Sequence, residues 1–294
     1  MLNRAAGNIY DLGYRRYEGQ RLGRRHAVWV LWLHRLRGCF GLGRPASSKI
    51  FPIGLAVITL IPAVVQLGVG ALGARNAEVI RPENYYRFVE VVLALFCAVV
   101  TPEMVSRDMR SGTLALYFSR ALERTDYAIA NFAALATSMF ALTFGPQATL
   151  FIGNGLVESD PASYLKDHWQ QVPEIIGSAL LLSCLVAGIG QAIASYTPRR
   201  AYSTVGILAV FILSSAIGAT LLSVSEQGIW RYSLMISPFH VVAGFSFWFF
   251  GASPEPLSQL ARADVPGAVY AAEAAVVAAL SFLIFLRRCR GIKA

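Results

Sequence analysis

Six stretches of this chain, at about residues 50–73, 87–106, 127–152, 172–196, 201–224 and 267–286, each run for about 20 mostly apolar residues or more. A helix of that length, rising about 1.5 Å per residue, reaches across a hydrocarbon core of about 30 Å. Only 15% of the 294 residues are charged, whereas a soluble domain carries about a quarter. The apolar surplus is too large for an interior alone and has to face lipid. The expected fold class is an all-α polytopic membrane protein with six transmembrane helices. Residues 1–49 form a separate polar N-terminal segment, and 50–294 form the transmembrane domain.

The distribution of basic residues orients these spans. Of the 26 Lys and Arg, 20 fall in the chain start, in 107–126, in 197–200 and in 287–294. Loops rich in Lys and Arg stay cytoplasmic. Both termini are therefore expected inside an inner or plasma membrane, with an even number of spans. The net charge of +9 is read as loop charge of this kind, with some attraction to anionic lipid, and not as a nucleic-acid footprint. Parity leaves 232–251, "YSLMISPFHVVAGFSFWFFG", as a re-entrant or interfacial hairpin on the outer side. It contains Pro238 and His240, and non-helical backbone at that depth is tolerated only under a protein cover. On the same side, "DPASYLKDHWQQ" opens like a short helix, with Asp160 as N-cap and Pro161 at the first helical position.

Residues 1–49 hold ten Lys or Arg and two acids. Within them, the uncharged run from Ala27 to Leu33 is too short to span. At 100° per residue, Trp29, Trp32, Leu33, Leu36 and Phe40 share one face, and Arg24, His34 and Arg35 lie opposite. The pattern predicts an amphipathic helix in the membrane interface; the alternative is a helix packed on another protein element. The four cysteines, Cys39, Cys97, Cys184 and Cys289, have no metal-ligand spacing and suggest no disulfide framework.

None of the three lysines closes a G-x-x-x-x-G-K-[ST] loop, so this chain has no such cradle for ATP. No H-E-x-x-H occurs, and "GFSFW" at 244–248 lacks the second glycine of a nucleophile elbow. No catalytic, metal or cofactor-binding residue is assigned. Polar groups within spans mark pathways or interhelical bonds. Glu90, Glu103, Asn131, Gln147 and Gln191 are the candidates here, with Glu90 the first choice for a solvated pathway. Small residues in "AGIGQAIAS", at 187–195, permit close helix packing.

One segment breaks the apolar pattern. "SRDMRSGTLALYFSRALERTDY", at 106–127, carries four Arg and three acids. The sequence predicts that one helix ends after "SRD", that Ser111-Gly112 breaks the chain, and that "TLALYFS" is a short amphipathic piece. Thr125 is the expected N-cap of the third span.

These residues resemble the permease subunit of bacterial ABC transporters of the ABC-2 type. In that family the second span ends in an acidic and basic pair. A Gly-Thr-Leu follows, then a "Leu-x-Ser-Arg-Pro-Leu-x-Arg"-like turn. This chain has Glu103, Arg107-Asp108, Gly112-Thr113-Leu114 and "YFSRALERTDY", with Ala121 where proline is often found. "YDLGYRRYEGQRLGR", at 10–24, resembles the start of a bacterial subgroup of the same permeases, and the layout of the whole chain is similar. The resemblance implies an export pathway built by two such subunits, as homodimer or heterodimer, with ATP and Mg held by a separate ATPase. It implies further that the segment after the second span couples to that ATPase through Arg107, Asp108, Gly112, Thr113, Leu114, Leu116, Tyr117 and Arg120. An ATP-independent carrier or channel is the alternative. Such a protein calls for a mid-membrane ion site or broken, repeated helices.

Overall fold

The computed structural model describes residues 22–72, 80–119, 122–157 and 160–291. Among the described residues the chain is helical, with no strand. Helix α1 (Gly23–Cys39) precedes α2 (Ser47–Ala71). A 3₁₀ turn at Pro82–Asn84 leads into α3 (Tyr85–Met104), and the short helices α4 (Ser106–Ser111) and α5 (Leu114–Phe118) follow. Then come α6 (Arg124–Val157), α7 (Pro161–His168) and α8 (Gln171–Tyr196). Helix α9 (Arg200–Leu208) continues through a π-helical turn, Ala209–Leu213, into α10 (Ser214–Val224). A 3₁₀ helix at Gly228–Ile236 turns into α11 (Pro238–Phe249); α12 (Gln259–Ala263) and α13 (Gly267–Arg290) complete the fold.

Six of these units are long and apolar enough to cross a membrane: Ser47–Gly70, Pro82–Ser111, Arg124–Leu156, Gln171–Tyr196, Arg200–Val224 and Gly267–Arg290. Their outward faces are strongly apolar. On α2 alone, Ile50, Val57, Ile61 and Val64 are exposed. Surfaces of this composition are stable in hydrocarbon and aggregate in water. The pair Gly228–Ile236 and Pro238–Phe249 bends by 102°. The 12 residues of α11, at about 1.5 Å each, fall well short of a bilayer core.

Helix α8 is the centre of the packing, in contact with α13, α6, α3 and α11. Its small residues allow this. A methyl group at Gly188 would sit 3.1 Å from Ser281 Cβ on α13, and one at Gly190 would collide with Cys97 Sγ on α3. Close backbone approach of this kind gains dispersion contacts, the main attraction left between helices in lipid. Of two buried amides, one bonds across from α8 to α6 and the other bonds back within α6. Gln191 Nε2 donates to the Asn131 carbonyl of α6 at 2.8 Å, and Asn131 Nδ2 donates to the Tyr127 carbonyl at 2.8 Å. Gln147 is also fully buried. In this conformation the three amides lie inside the helix packing and not along an open channel.

Local signals set several helix ends. Asp160 caps α7, its side chain accepting from the backbone of Ala162 and Ser163, and the Ser163 hydroxyl, with these backbone bonds, holds its carboxyl below the usual carboxylate range. The start of α6 departs from the sequence expectation. The helix begins at Arg124, and Asp126 Oδ2 accepts the Glu123 amide at 3.0 Å, so Thr125 is not the cap. A side chain reaching back from inside the first turn does the work here.

Helix α1 also departs from it. Leu31, Arg35 and Cys39, one turn apart, form its buried stripe against α6 and α3. Arg35 is thus an inward residue, not part of the polar face, whereas Trp29 of the expected apolar face stays 57% exposed, the position a tryptophan at headgroup level takes. The Cys39 thiol is fully covered, and burial pushes it up to about 11. Only a thiolate is nucleophilic. Maleimide is therefore expected to leave Cys39 and the equally buried Cys289 unlabelled even in opened membranes; labelling within minutes in native detergent extracts contradicts this packing.

Candidate functional site

The charged segment that ends the second membrane-length unit and continues beyond it forms an elbow of two short helices, α4 and α5, at one end of the bundle. Gly112 makes the turn between them. Its φ of 67° is left-handed, and open space surrounds the position of a Cβ. The backbone alone therefore demands glycine there. Gly112→Ala is expected to destabilise by roughly 1 kcal/mol, seen as a fall of a few degrees in thermal unfolding; an unchanged midpoint rules out the strained turn.

Each side of the elbow meets a different environment. Asp108 and Leu114 are buried, and Leu114 joins the main apolar core. Tyr117 and Phe118 are half-buried against that core, with Arg124 over the Phe118 ring at 5.7 Å. Leu116 stands out, 68% exposed. Arg107, Arg110, Ser111 and Gly112 are exposed around it. Beside the elbow is an open hollow of about 400 Å³ lined by Phe118, Leu122, Glu123, Arg124 and Thr125. Thr113 bonds back onto α4, its hydroxyl lying 3.4 Å from the Asp108 carbonyl. Arg120 lies outside the described residues, as do residues 10–21 of the N-terminal stretch.

Behind this exposed edge the elbow is wired into the bundle. Asp108 is ion-paired to Arg35 of α1, and its Oδ2 also accepts from the Tyr127 hydroxyl of α6 at 2.9 Å. Arg35 donates a second bond to the Met104 carbonyl at 3.2 Å. The rings of Tyr117 and Tyr127 flank its guanidinium at 5.5 and 5.6 Å. Both charged side chains are only about a tenth exposed. A pair this buried holds together only because its geometry and added hydrogen bonds replace lost water. Ser106 ties the same elbow to the Ala194 carbonyl on α8 (3.1 Å) and to Ser203 on α9 (3.0 Å).

Glu103, at the end of α3, gathers three guanidinia. Arg44 and Arg107 reach it at 3.3 and 3.4 Å, and Arg200 at the start of α9 is also paired with it. On the outer edge of α1, Arg24 spans Glu123 and Asp126. Asp108 and Glu103 therefore fix the relative positions of α1, α3, α4, α6 and α9. Of the residues singled out by sequence, Glu103, Arg107, Asp108, Thr113 and Tyr117 come together here. Glu90 lies towards the other end of α3 and takes no part.

Sequence reasoning missed Arg35 as the partner of Asp108. The available signal was positional: Arg35 falls one turn from Leu31 and Cys39, in a stripe otherwise apolar.

The fold and the elbow together define a helical protein with six membrane-length helices and a charged, braced end. No protein-family model matches the chain, and no curated protein is significantly similar to it.

Proposed function

We propose that this chain is the permease subunit of an ATP-driven exporter of the ABC-2 type. The observation that carries the reading is the elbow: a short helix pair offering Leu116 outward while Asp108, Tyr117 and Ser106 lock it to the bundle. A surface loop kept only for its positive charge has no need of a buried ion pair. A contact meant to receive a push has to transmit it, and here the transmission runs through Asp108 to α1 and α6, and through Glu103 to α9. Rigid elements that shift together are the usual carriers of such a displacement.

In this reading the elbow faces the cytoplasm with both termini, because the Lys and Arg cluster there. The Gly228–Phe249 bend is a re-entrant hairpin on the outer side of an inner or plasma membrane. A second permease subunit, identical or different, completes the pathway. ATP and Mg belong to the separate ATPase, which supplies the energy; the residues of this chain bind that subunit, orient it and pass its movement on. Gly112 and Thr113 hold the turn, and Arg107 and Arg110 steer the approach of an acidic partner surface.

Tagged protein drawn from its native membranes is expected to retain a soluble chain bearing a G-x-x-x-x-G-K-[ST] loop, and to hydrolyse ATP only with that chain present. Hydrolysis by the isolated permease, or transport in vesicles that survives without any ATPase, contradicts the proposal. The second outcome fits an ATP-independent carrier, the reading favoured by the position of Glu90 beside a cavity.

A further inference from the structure

A cavity of about 500 Å³ opens at the end of the bundle away from the elbow, between the start of α3, α11 and the segment leading to α12. Its volume suits a small organic ligand. The two arginines on its wall are already engaged. Arg87 Nη1 lies 3.4 Å from Glu255 Oε2, and Arg262 Nε lies 2.6 Å from Glu226 Oε1. His240 Nε2 shares a hydrogen bond with Gln259 Oε1 at 2.7 Å. Glu90 differs from them. It is half-buried, faces this cavity, and makes no hydrogen bond or ion pair with any described residue. It also lines a narrow apolar recess with Phe211, Phe239 and Leu93. Phe239 and Phe247 add aromatic rings to the main cavity.

We propose that this cavity binds a lipophilic organic cation, with Glu90 holding the charge and Phe239 and Phe247 covering the apolar body. Around the cavity the carboxylates of Glu83, Glu90, Glu255 and Glu226 outnumber the guanidinia of Arg87 and Arg262, so it is net negative, and Glu90 is the carboxylate that also reaches the apolar recess. A carboxylate drawn partly out of water gains most from an opposite charge, and aromatic faces attract cations further. An anion of the same shape finds no unengaged donor of positive charge among the described residues of the wall. Naming the cavity as the cargo's station rests on the permease reading; binding itself does not.

The test uses two ions of one shape and opposite charge, tetraphenylphosphonium and tetraphenylborate. Each is titrated against the purified full chain in phosphatidylcholine nanodiscs, with empty nanodiscs subtracted for partition into lipid. Saturable binding is expected for tetraphenylphosphonium alone. Glu90→Gln is expected to weaken it about tenfold or more, the size of one contact to a charged group. Glu90→Asp, which retains the charge, is expected to keep part of the affinity and guards against a misfolded Gln variant. Equal binding of both ions, or tetraphenylphosphonium affinity unchanged by Glu90→Gln in folded protein, overturns the assignment. No ATPase enters this experiment. A failure here leaves the elbow's role standing, and a failure of the elbow leaves the cavity's.

Discussion

Asp108→Ala is expected to destabilise the protein by about 3–5 kcal/mol, because it strands the Arg35 guanidinium in the interior. Asp108 is the only carboxylate paired with Arg35 among the described residues, and both side chains are about nine-tenths buried. Removing the carboxylate leaves Arg35 the Met104 carbonyl and two tyrosines. It also frees the Tyr127 hydroxyl, which then retains only a 3.5 Å approach to the same carbonyl. The double replacement Arg35→Met with Asp108→Leu removes both charges at similar volume. It is expected to recover most of the loss, since apolar substitutes for a buried ion pair are commonly neutral or stabilising. Thermal unfolding of the four proteins in one detergent closes the double-mutant cycle. Additive losses would mean that the two charges do not interact, and the brace would have to be abandoned. A second readout is local: in Asp108→Ala, α1 is expected to detach from α6 and become open to protease well below the global transition.

Leu116→Asp is expected to have the opposite character, abolishing a partner contact with little change in the fold. The side chain is 68% exposed, so its replacement leaves no cavity and buries no charge; surface changes of this kind usually stay within about 0.5 kcal/mol. In the proposed complex that same leucine enters an apolar cleft on the ATPase, where an aspartate is desolvated without a partner. Such an anchor is worth about 2 kcal/mol or more, enough to lower ATPase retention some thirtyfold. Leu114→Asp makes the contrast. Leu114 is part of the core, and its replacement is expected to prevent folding. Tyr117 is a poor probe of docking for a related reason, since its ring covers Arg35. Replacing it disturbs the brace along with any interface. A Leu116→Asp protein that folds, inserts and still retains its ATPase at the wild-type level refutes the docking role.

The parts of this fold that were legible in the sequence are those set locally. Each membrane-length helix is announced by its own apolar run, and several breaks by residues that act where they stand, although the helix expected to end after "SRD" breaks at Val105 and α4 runs on to Ser111. Gly112 ends α4 through a left-handed backbone, and Asp160 with Pro161 starts α7. Even so, Thr125 was the wrong cap, because the side chain that reaches back to Glu123 is Asp126. The parts that were hidden are set by partners far along the chain. Arg35 meets Asp108 across 73 positions. Helical periodicity sends a charged residue to solvent unless such a partner is known. Sequence singled out Glu90 as an intramembrane carboxylate, but its cavity is assembled from residues as distant as Arg262. Glu103 was marked as a polar group near a span end. Its three arginines come from separate segments, which no single window of sequence contains.

The central claim is that the elbow is where a soluble motor touches this chain, and Leu116 is the place to ask. A photo-reactive benzoylphenylalanine placed at residue 116, irradiated in native membranes, reports what lies against that position. The expected product is a single protein adduct whose partner peptide belongs to a chain with a P-loop. The adduct is expected to vanish when the probe is moved to the exposed Leu165 of α7, beyond the far end of α6, and to change in yield when ATP is added. Adducts to lipid alone, or to no P-loop protein at all, would show that the elbow faces something other than a motor.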